Sequence, residues 1–507
     1  MQEDEMSSKN VSRELQGAKQ EREFNSPSQQ VGEPLSDWEI TIGIECHVQL
    51  ATKTKLFSPA DNDARDASPN SKVHEIDFGL PGMLPVLNRE AVDMAIKAGK
   101  ALNADIARVS RFDRKHYFYP DLPKGYQTTQ MYQPIILAGY IDAPLENGDA
   151  VRVRIHHAHM EEDAGKLTHY GDYSLVDLNR AGTPLIEIVS EPDIHSPEEA
   201  RAYCTELYRL MTYAGVTHGD LYHGNMRFDV NVSVAKRGAG ELGRRAEVKN
   251  LNSFRSVEKA AEYEFRRQVA LLEKGERVVQ ETRGWSDDKG ITTSQRSKED
   301  AQDYRYMPDA DIPPIVLSDK EIHEIQAGVP KLPPEYRNEF ASLGVDSSVV
   351  NTVLSKQLLA EMVSQVLEMN QAAAKRVANW VASNLTLDED TELESVARID
   401  DLLELAEMTG ANEISSNAAS ELFNDLMAGA TDPRKIAEEK NLLQLSDEGV
   451  IAAIVDEVLA DPASQKAIED VKSGNDKAIG YLVGQIMKKS QGKANPALAQ
   501  KLIRGRI

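Results

Sequence analysis

Alternating apolar and polar positions recur along the first two thirds of the chain. The pattern begins at residues 38–50 and returns in shorter runs at 151–155 and 227–234. A period of two residues is typical of a β-strand with one buried face. The sequence therefore predicts strands in all three places, with helices interleaved between them.

Two of these helices are predicted from the signals at their ends. Ser196 with Glu199 three residues later is typical of a helix start, and this helix is expected to end near Gly215. Another helical pattern runs over about 257–274 and stops at Gly275. Strands still dominate this part, which predicts an α+β domain.

Prolines concentrate between residues 308 and 334, as expected at the edge of a domain. Beyond them the pattern is almost wholly helical, and Ser446 can cap a helix with an apolar stripe. The stripe consists of Ile451, Ile454, Val455, Val458 and Leu459. The predicted organisation is a disordered extension (1–37), the strand-rich domain (38–325), a helical domain (326–405) and a helical tail (406–507).

Composition narrows the class of protein. In 507 residues, 58 Lys and Arg oppose 82 Asp and Glu, so the formal net charge is −24. This balance excludes a generally basic nucleic-acid coat but not local contacts with nucleic acid. Cys46 and Cys204 are too few for a disulfide framework or a four-cysteine zinc site, and they fit a reducing cytosol. No apolar run of about 18 residues occurs, so no membrane span or signal segment is expected.

One glycine motif is present in the wrong context for a dinucleotide site. Residues 238–243 match GxGxxG, but the following residues read as a strand rather than a helix. A dinucleotide-binding turn must open a helix whose first turn holds the pyrophosphate. A hairpin loop is the better interpretation.

Carboxylates on strand faces are more informative. Glu45 and His47 share one face of the first strand, whereas Cys46 points to the opposite face and cannot pair with His47. Glu187 is the only charge in an apolar strand, so it needs a partner. Asp229 begins a second polar face. Each acid alone could be a surface charge or a structural ion pair, but together they suggest a convergent site suited to Mg²⁺.

Further acids and cations surround these strands. Glu161, Glu162 and Asp163 follow the basic strand that starts at 151. Residues 112–127 mix cations such as Lys115 and Lys124 with aromatics, which fits either a phosphate or base contact or a loop packed by its own rings. Other candidates for phosphate contact are Arg180, Lys249, Arg283 and Arg305.

The run Val176–Pro192, VDLNRAGTPLIEIVSEP, resembles the signature of the GatB family, which forms the B subunit of the tRNA-dependent aspartyl/glutamyl amidotransferase. Other segments are similar to this family in the same order along the chain, and the resemblance covers about residues 38–507. These segments are 43–50, 112–127, 160–166, 248–254 and 303–308.

The resemblance implies an enzyme, a ligase that forms C–N bonds with glutamine as amido donor. In this family, the GatB protein uses ATP and Mg²⁺ to phosphorylate the side-chain carboxylate of Glu-tRNA(Gln) or Asp-tRNA(Asn). Ammonia from an amidase, the A subunit, then displaces phosphate, in a cytoplasmic heterotrimer that also includes a small C subunit. Phosphorylation makes physical sense because a free carboxylate is a poor acyl donor.

The resemblance also implies a fold and a site. The strand-rich domain would be an antiparallel-sheet cradle related to the catalytic fold of glutamine synthetase, and the helical tail would contact tRNA. The basic stretch 488–507 fits that contact. Lys124 would line the ammonia path. The implied metal ligands are Glu45, His47, Glu162, Glu187 and Asp229, with Glu161 adjacent; the candidate ATP contacts are Lys115, Lys124, Arg180 and Lys249.

The chain also departs from the family pattern. Many relatives carry four zinc-binding cysteines between the positions of Phe57 and Leu80, where this chain has none, so no structural zinc is expected. Cys46 and Cys204 are expected to be buried core residues, which leaves no cysteine for releasing ammonia from glutamine. Two alternatives to the enzyme remain, a tRNA-docking scaffold and a carboxylate–amine ligase without tRNA, and the helical basic tail argues against the second.

Overall fold

A computed structural model describes residues 34–297, 303–387, 391, 393, 395–444, 448–490 and 494–507. The chain divides into two compact units between Leu332 and Pro333. Of the predicted extension 1–37, residues 1–33 lie outside the described residues, and Pro34–Asp37 form a short 3-10 turn. Within the described ranges, no helix combines the length and apolar character needed to cross a bilayer.

The first unit contains all the strands found among the described residues. In chain order they are β1 (Trp38–Gln49), β2 (Val109–Ser110), β3 (Asp113–His116), β4 (Tyr126–Thr129), β5 (Gly139–Pro144), β6 (Ala150–Glu162), β7 (Lys166–Tyr170), β8 (Tyr173–Asp177), β9 (Pro184–Ser190), β10 (Met226–Lys236), β11 (Ala246–Leu251), β12 (Glu281–Ser286), β13 (Ile291–Ser297), β14 (Met307–Pro308) and β15 (Ile315–Val316). The three predicted strands correspond to β1, β6 and β10.

Eight strands form one large sheet in the order β13-β12-β11-β10-β1-β9-β6-β5. All neighbours are antiparallel except β11 and β12, which run parallel. Residues 238–243 lie in the loop between the antiparallel strands β10 and β11, as the hairpin interpretation predicted. The central strands β10, β1, β9 and β6 therefore form a rigid platform with hydrogen bonds on both sides of each strand.

One face of this platform is apolar and buried. Ile44, Cys46 and Val48 of β1 are fully buried, as are Val230 and Ile188 on its two neighbours. Cys204 is also fully buried, within a helix. Burial thus confirms both cysteines as core residues. The opposite face carries the alternate, polar side chains of the same strands.

The helices of the first unit are α1 (Arg89–Ala101), α2 (Pro197–Tyr213), α3 (Phe254–Glu273) and α4 (Asp319–Ala327). The side chain of Ser196 accepts a hydrogen bond from the Glu199 amide, which satisfies a free N–H of the first turn of α2. The carboxylate of Glu199 accepts from the His195 amide. Helix α3 begins three residues before the predicted start because Ser253 caps it.

An irregular segment joins β1 to α1. Asp77 anchors it, because its carboxylate accepts from the buried Lys55 ammonium at 3.2 Å and from Ser58 at 3.1 Å. Gly182 of the family-like signature packs against Asp77 with φ +82°, where a Cβ atom would lie 2.8 Å from Oδ1 of Asp77. A side chain at position 182 would therefore disturb the anchor.

The second unit is helical in all its described regular elements. Its α-helices are α5 (Pro333–Phe340), α6 (Ser347–Val353), α7 (Gln357–Met369), α8 (Gln371–Asn384), α9 (Ile399–Gly410), α10 (Ser416–Met427), α11 (Pro433–Glu439), α12 (Glu448–Ala460), α13 (Gln465–Lys472), α14 (Ile479–Lys489) and α15 (Pro496–Arg504).

Helices α12 to α15 share their own apolar core, which includes the predicted stripe residues Ile451, Val455 and Val458. The boundary predicted between residues 405 and 406 falls inside helix α9, which packs against α8 and α10. Ser446, the predicted cap of α12, lies outside the described residues. The tail thus contains a small helical bundle with a core of its own.

Candidate metal centre

The register of the central strands sets the geometry of the polar face. His47 on β1 lies opposite Glu187 on β9, and Glu45 on β1 lies opposite Asp229 on β10. Glu187 in turn lies opposite His159 on β6. Four strands thus bring their polar side chains into two adjacent rows.

The first row contains what we call the His47 group, which consists of His47, Glu161 and Glu187. The Nε2 atom of His47 lies 3.5 Å from Oε1 of Glu161 and 3.7 Å from Oε2 of Glu187. One ligand atom from each of these residues lies within 4.8 Å of the other two. This spacing allows all three side chains to bind one cation.

The second row contains the Glu45 group, which consists of Glu45, Asp229 and Glu247. Its carboxylate oxygens also lie within 4.8 Å of one another. Burial, and then the neighbouring carboxylates of Glu187, Glu247 and Asp229, raise the pKa of Glu45. Lys249 partly offsets this repulsion, since its ammonium lies 2.9 Å from Asp229 and 3.1 Å from Glu247.

His159 supplies the partner that the charge of Glu187 requires. Burial alone would lower the pKa of His159, but hydrogen bonds with Glu161 and Glu187 raise it to about 10. Burial would raise the pKa of Glu187, yet His159 holds it well below its usual range. The imidazole of His157 contacts Nδ1 of His159 at 3.2 Å, and burial lowers the pKa of His157 to about 4. The centre therefore keeps Glu187 ionised.

Cations lie around the two groups. Burial would lower the pKa of Lys115, but the carboxylates of Glu161 and Glu187 raise it. The Lys115 ammonium lies 5.0 Å from the ring centre of Tyr304. Arg227, opposite His47 on β10, donates to Asp163 at 2.8 Å. The face thus offers positive charge beside its carboxylates, as binding of a polyphosphate requires.

The structure places some predicted site residues elsewhere. Glu162 lies in neither group: its side chain pairs with Lys124 and accepts from the Thr128 amide at 2.9 Å. Adjacent residues of a strand point to opposite faces, so Glu161 rather than Glu162 faces His47. Arg180 donates to the carbonyl oxygens of Ala164 and Gly165 and does not contact either group.

Three residues of this face, His159, Glu247 and Arg227, are not among the site residues predicted from the sequence. His159 and Glu161 share a face of β6, and Glu247 and Lys249 share a face of β11. The two-residue spacing was therefore a usable signal for His159 and Glu247. Arg227 lies two residues before Asp229 on β10, so the same spacing was a usable signal for it as well.

The donor set suits a hard divalent cation. The two groups together consist of five carboxylates and one imidazole. Carboxylate oxygens are the ligands that Mg²⁺ prefers. The imidazole of His47 is a nitrogen donor, which transition ions such as Zn²⁺ accept more readily than Mg²⁺ does. The raised pKa of Glu45 reflects crowded negative charge that a bound cation would relieve. Neither buried cysteine can contribute, since burial raises the pKa of both thiols well above their usual value.

Two family models match most of the chain. Residues 40–323 match the family model described as the GatB/GatE catalytic domain, and residues 349–507 match the model described as the GatB domain. The catalytic-domain match includes every residue of the His47 and Glu45 groups.

Several curated relatives are similar over almost their whole length. The B subunit of the aspartyl/glutamyl-tRNA(Asn/Gln) amidotransferase of Alcanivorax borkumensis is 45% identical over 480 residues, which cover 93% of this chain and 99% of the relative. The protein of the same name from Carboxydothermus hydrogenoformans is 41% identical over 483 residues, with the same two coverages. The one from Persephonella marina is 44% identical over 475 residues, or 92% of this chain and 99% of the relative. The chain therefore belongs to the GatB family, whose members are the B subunits of the tRNA-dependent amidotransferase.

Proposed function

We propose that this chain converts Glu-tRNA(Gln), Asp-tRNA(Asn) or both into the corresponding amide. In the first step, a side-chain carboxylate oxygen attacks the γ-phosphorus of ATP and ADP leaves. In the second step, ammonia attacks the acyl carbon and the bond to the phosphate oxygen breaks. The proton that the nitrogen gives up leaves with the phosphate.

The observation that carries this proposal is the pair of metal-binding groups side by side on one rigid sheet face. The His47 group and the Glu45 group would each hold a Mg²⁺ ion. Bound Mg²⁺ neutralises charge on the phosphate oxygens, so that two anions can approach each other. Glu161 belongs to this set in place of Glu162, because only Glu161 lies in contact distance of His47.

The surrounding side chains have separate roles. His159 holds the Glu187 carboxylate in its ionised form, facing His47. Lys115, Lys249 and Arg227 supply positive charge for the phosphates of ATP. Lys124 pairs with Glu162 and lies 5.0 Å from the ring centre of Tyr126, and we assign it to the path by which ammonia would arrive.

The proposed enzyme needs partner proteins. Both cysteines are buried, so neither can release ammonia from glutamine as an exposed thiolate would. An amidase, the A subunit, would supply the ammonia, and the small C subunit would complete a cytoplasmic heterotrimer. The first unit would then be the glutamine synthetase-like cradle, and the basic end of the tail would contact the tRNA backbone.

The test bypasses the partner's chemistry by supplying free ammonium in place of glutamine. The chain is assembled with its amidase and small subunits and given ATP, Mg²⁺ and either misacylated tRNA, and the amidated aminoacyl-tRNA is quantified. We expect product with at least one tRNA and its loss in Glu187→Gln. Glu198→Gln, a change of an exposed acid on α2, is the matched control.

Two results would contradict the proposal. Wild-type turnover in Glu187→Gln would remove Glu187 from the reaction centre. A well-formed complex that binds tRNA but gives no product with either tRNA would favour a docking scaffold instead.

A further inference from the structure

A polar cavity of about 360 Å³ lies at the end of β1. Its volume falls in the range of small-molecule sites, which is roughly 300–1,000 Å³. Gln49 lines this cavity two residues beyond His47, on the same face of the strand. Two residues span about 6.6 Å along a strand, so the cavity begins within one side-chain length of the His47 group.

Hydrogen bonds connect the cavity with the metal centre. Arg180 lines the cavity and its Nε lies 3.3 Å from the Asp163 carboxylate. Asp163 accepts from Arg227, which lies opposite His47 in the sheet. One wall of the cavity is therefore joined through Asp163 to a residue that lies beside the proposed metal centre.

The lining suits a sugar better than a stacked base. Among the described residues, no Phe, Tyr or Trp lines the cavity, whereas several side-chain amides do. Asn62 is 4% exposed, and its amide nitrogen donates to the carbonyl oxygens of Leu50 and Thr52 at 3.0 and 3.1 Å. Its Oδ1 atom is buried without a hydrogen-bond partner among the described residues. Asn225 is also buried and donates to the Gln49 side chain at 3.2 Å.

The rim of the cavity suits a phosphate. Lys166, the first residue of β7, is exposed and forms no ion pair within the described part of the chain. His218 is exposed on the same rim.

Two carboxylates also line the cavity, but Asp63 pairs with Arg65, and Asp177 accepts from the backbone amides of Asn70 and Asn179. An amide-lined cavity with a lysine at its mouth therefore has the chemistry of a site for a ribose and its phosphate.

We propose that the cavity holds the 3′-terminal ribose of the charged tRNA, with its 5′-phosphate at Lys166. The inference rests on the proposed function, because only that reaction requires a carboxylate tethered to a ribose. The amino acid is esterified to this ribose, and its side chain must reach the metal centre. A cavity about one side-chain length away meets this condition. The ribose of ATP lies a whole triphosphate chain from its reacting phosphorus, so it fits less well.

The test compares two RNAs in binding to the assembled complex without ATP. One is the intact tRNA and the other is the same tRNA lacking its 3′-terminal nucleotide. We expect Lys166→Ala to weaken binding of the intact tRNA about tenfold and to leave binding of the shortened tRNA unchanged. His218→Ala should act in the same direction. Lys259→Ala, which changes an exposed lysine on α3, should alter neither affinity.

The inference would be contradicted by either of the following results. Equal weakening for both RNAs, or no weakening, would remove the terminal nucleotide from the cavity. In the amidation assay, a raised KM for ATP with an unchanged KM for the charged tRNA would assign the cavity to the ribose of ATP. Because the binding arm involves no catalysis, its result stands even if the amidation reaction itself fails.

Discussion

The Nε2 atom of His159 lies 3.3 Å from Oε2 of Glu187, across the neighbouring strands β6 and β9. The same nitrogen lies 3.9 Å from Oε2 of Glu161. One buried imidazole thus faces two of the three members of the His47 group. Changing a residue that orients a metal ligand in this way typically lowers metal affinity by about 10- to 100-fold.

The His159–Glu187 pair predicts a loss of stability at alkaline pH in the metal-free protein. The folded pKa of His159 is about 10, above the value near 6.5 of the unfolded chain. Its contribution is complete below about pH 6.5 and is lost as the pH rises towards 10. Urea unfolding of wild type and His159→Gln in EDTA should therefore differ by about 2–4 kcal/mol at pH 6.5 and much less at pH 9.5. A difference independent of pH would contradict the prediction.

Lys249→Met should raise the affinity of the Glu45 group for Mn²⁺. The Lys249 ammonium lies within 3.1 Å of both Asp229 and Glu247, so it competes with a cation for the same oxygens. Its removal adds one net negative charge to the site, and we expect affinity to increase about tenfold. The measurement is Mn²⁺ binding by electron paramagnetic resonance. The KM for ATP should rise in the same variant, while Lys274→Met, at the end of α3, should change neither value.

Asp77→Asn should destabilise the first unit by about 3 kcal/mol, because it leaves the Lys55 ammonium buried without a counter-charge. Thermal unfolding compared with Asp172→Asn, a change in an exposed turn, measures the effect.

Metal analysis of the dialysed protein should find less than one zinc per chain, since the anchor of this segment is an ion pair. Stoichiometric zinc, or an unchanged unfolding midpoint in Asp77→Asn, would refute this account.

Lys501→Ala should weaken tRNA binding and reduce the salt dependence of that binding by about one unit of log K against log salt. Lys501 is exposed on α15 and forms no ion pair among the described residues. Lys489 instead pairs with Glu457 at 2.5 Å, so Lys489→Ala removes a charge that is already neutralised. A larger effect from Lys489→Ala would contradict the proposed role of the tail.

Strand periodicity is the reason that much of the site could be predicted. Glu45 and His47 alternate with buried residues, and Glu187 interrupts an apolar strand, so each position carries its own local signal. Which strands are neighbours is a non-local property, and no residue on β1 specifies that β9 and β10 flank it. The parallel pairing of β11 with β12, which follows α3, could not be predicted for the same reason.

The choice between Glu161 and Glu162 depends on which of two adjacent strand residues faces the polar side of the sheet. Both acids end β6, and a bulge between Ile155 and His157 shifts the register of this strand against β9. Counting outward from His159 selects Glu161 for the polar face, but the resemblance pointed to Glu162. The strand geometry therefore favours Glu161, which the resemblance placed beside the implied ligand Glu162, as the member of the proposed metal site.

The side chains of the proposed metal centre stand on strands that are hydrogen-bonded on both sides, so we expect this part of the sheet to move least. Amides of β1 and β9 beneath the centre should be among the slowest to exchange with deuterium, because only a global opening exposes them. Lys124 lies in the turn before β4 and Lys166 begins β7, and both strands belong to small sheets separate from the eight-stranded one. We therefore expect the movements that admit and release substrate to occur in these segments, while the proposed reaction centre keeps its shape.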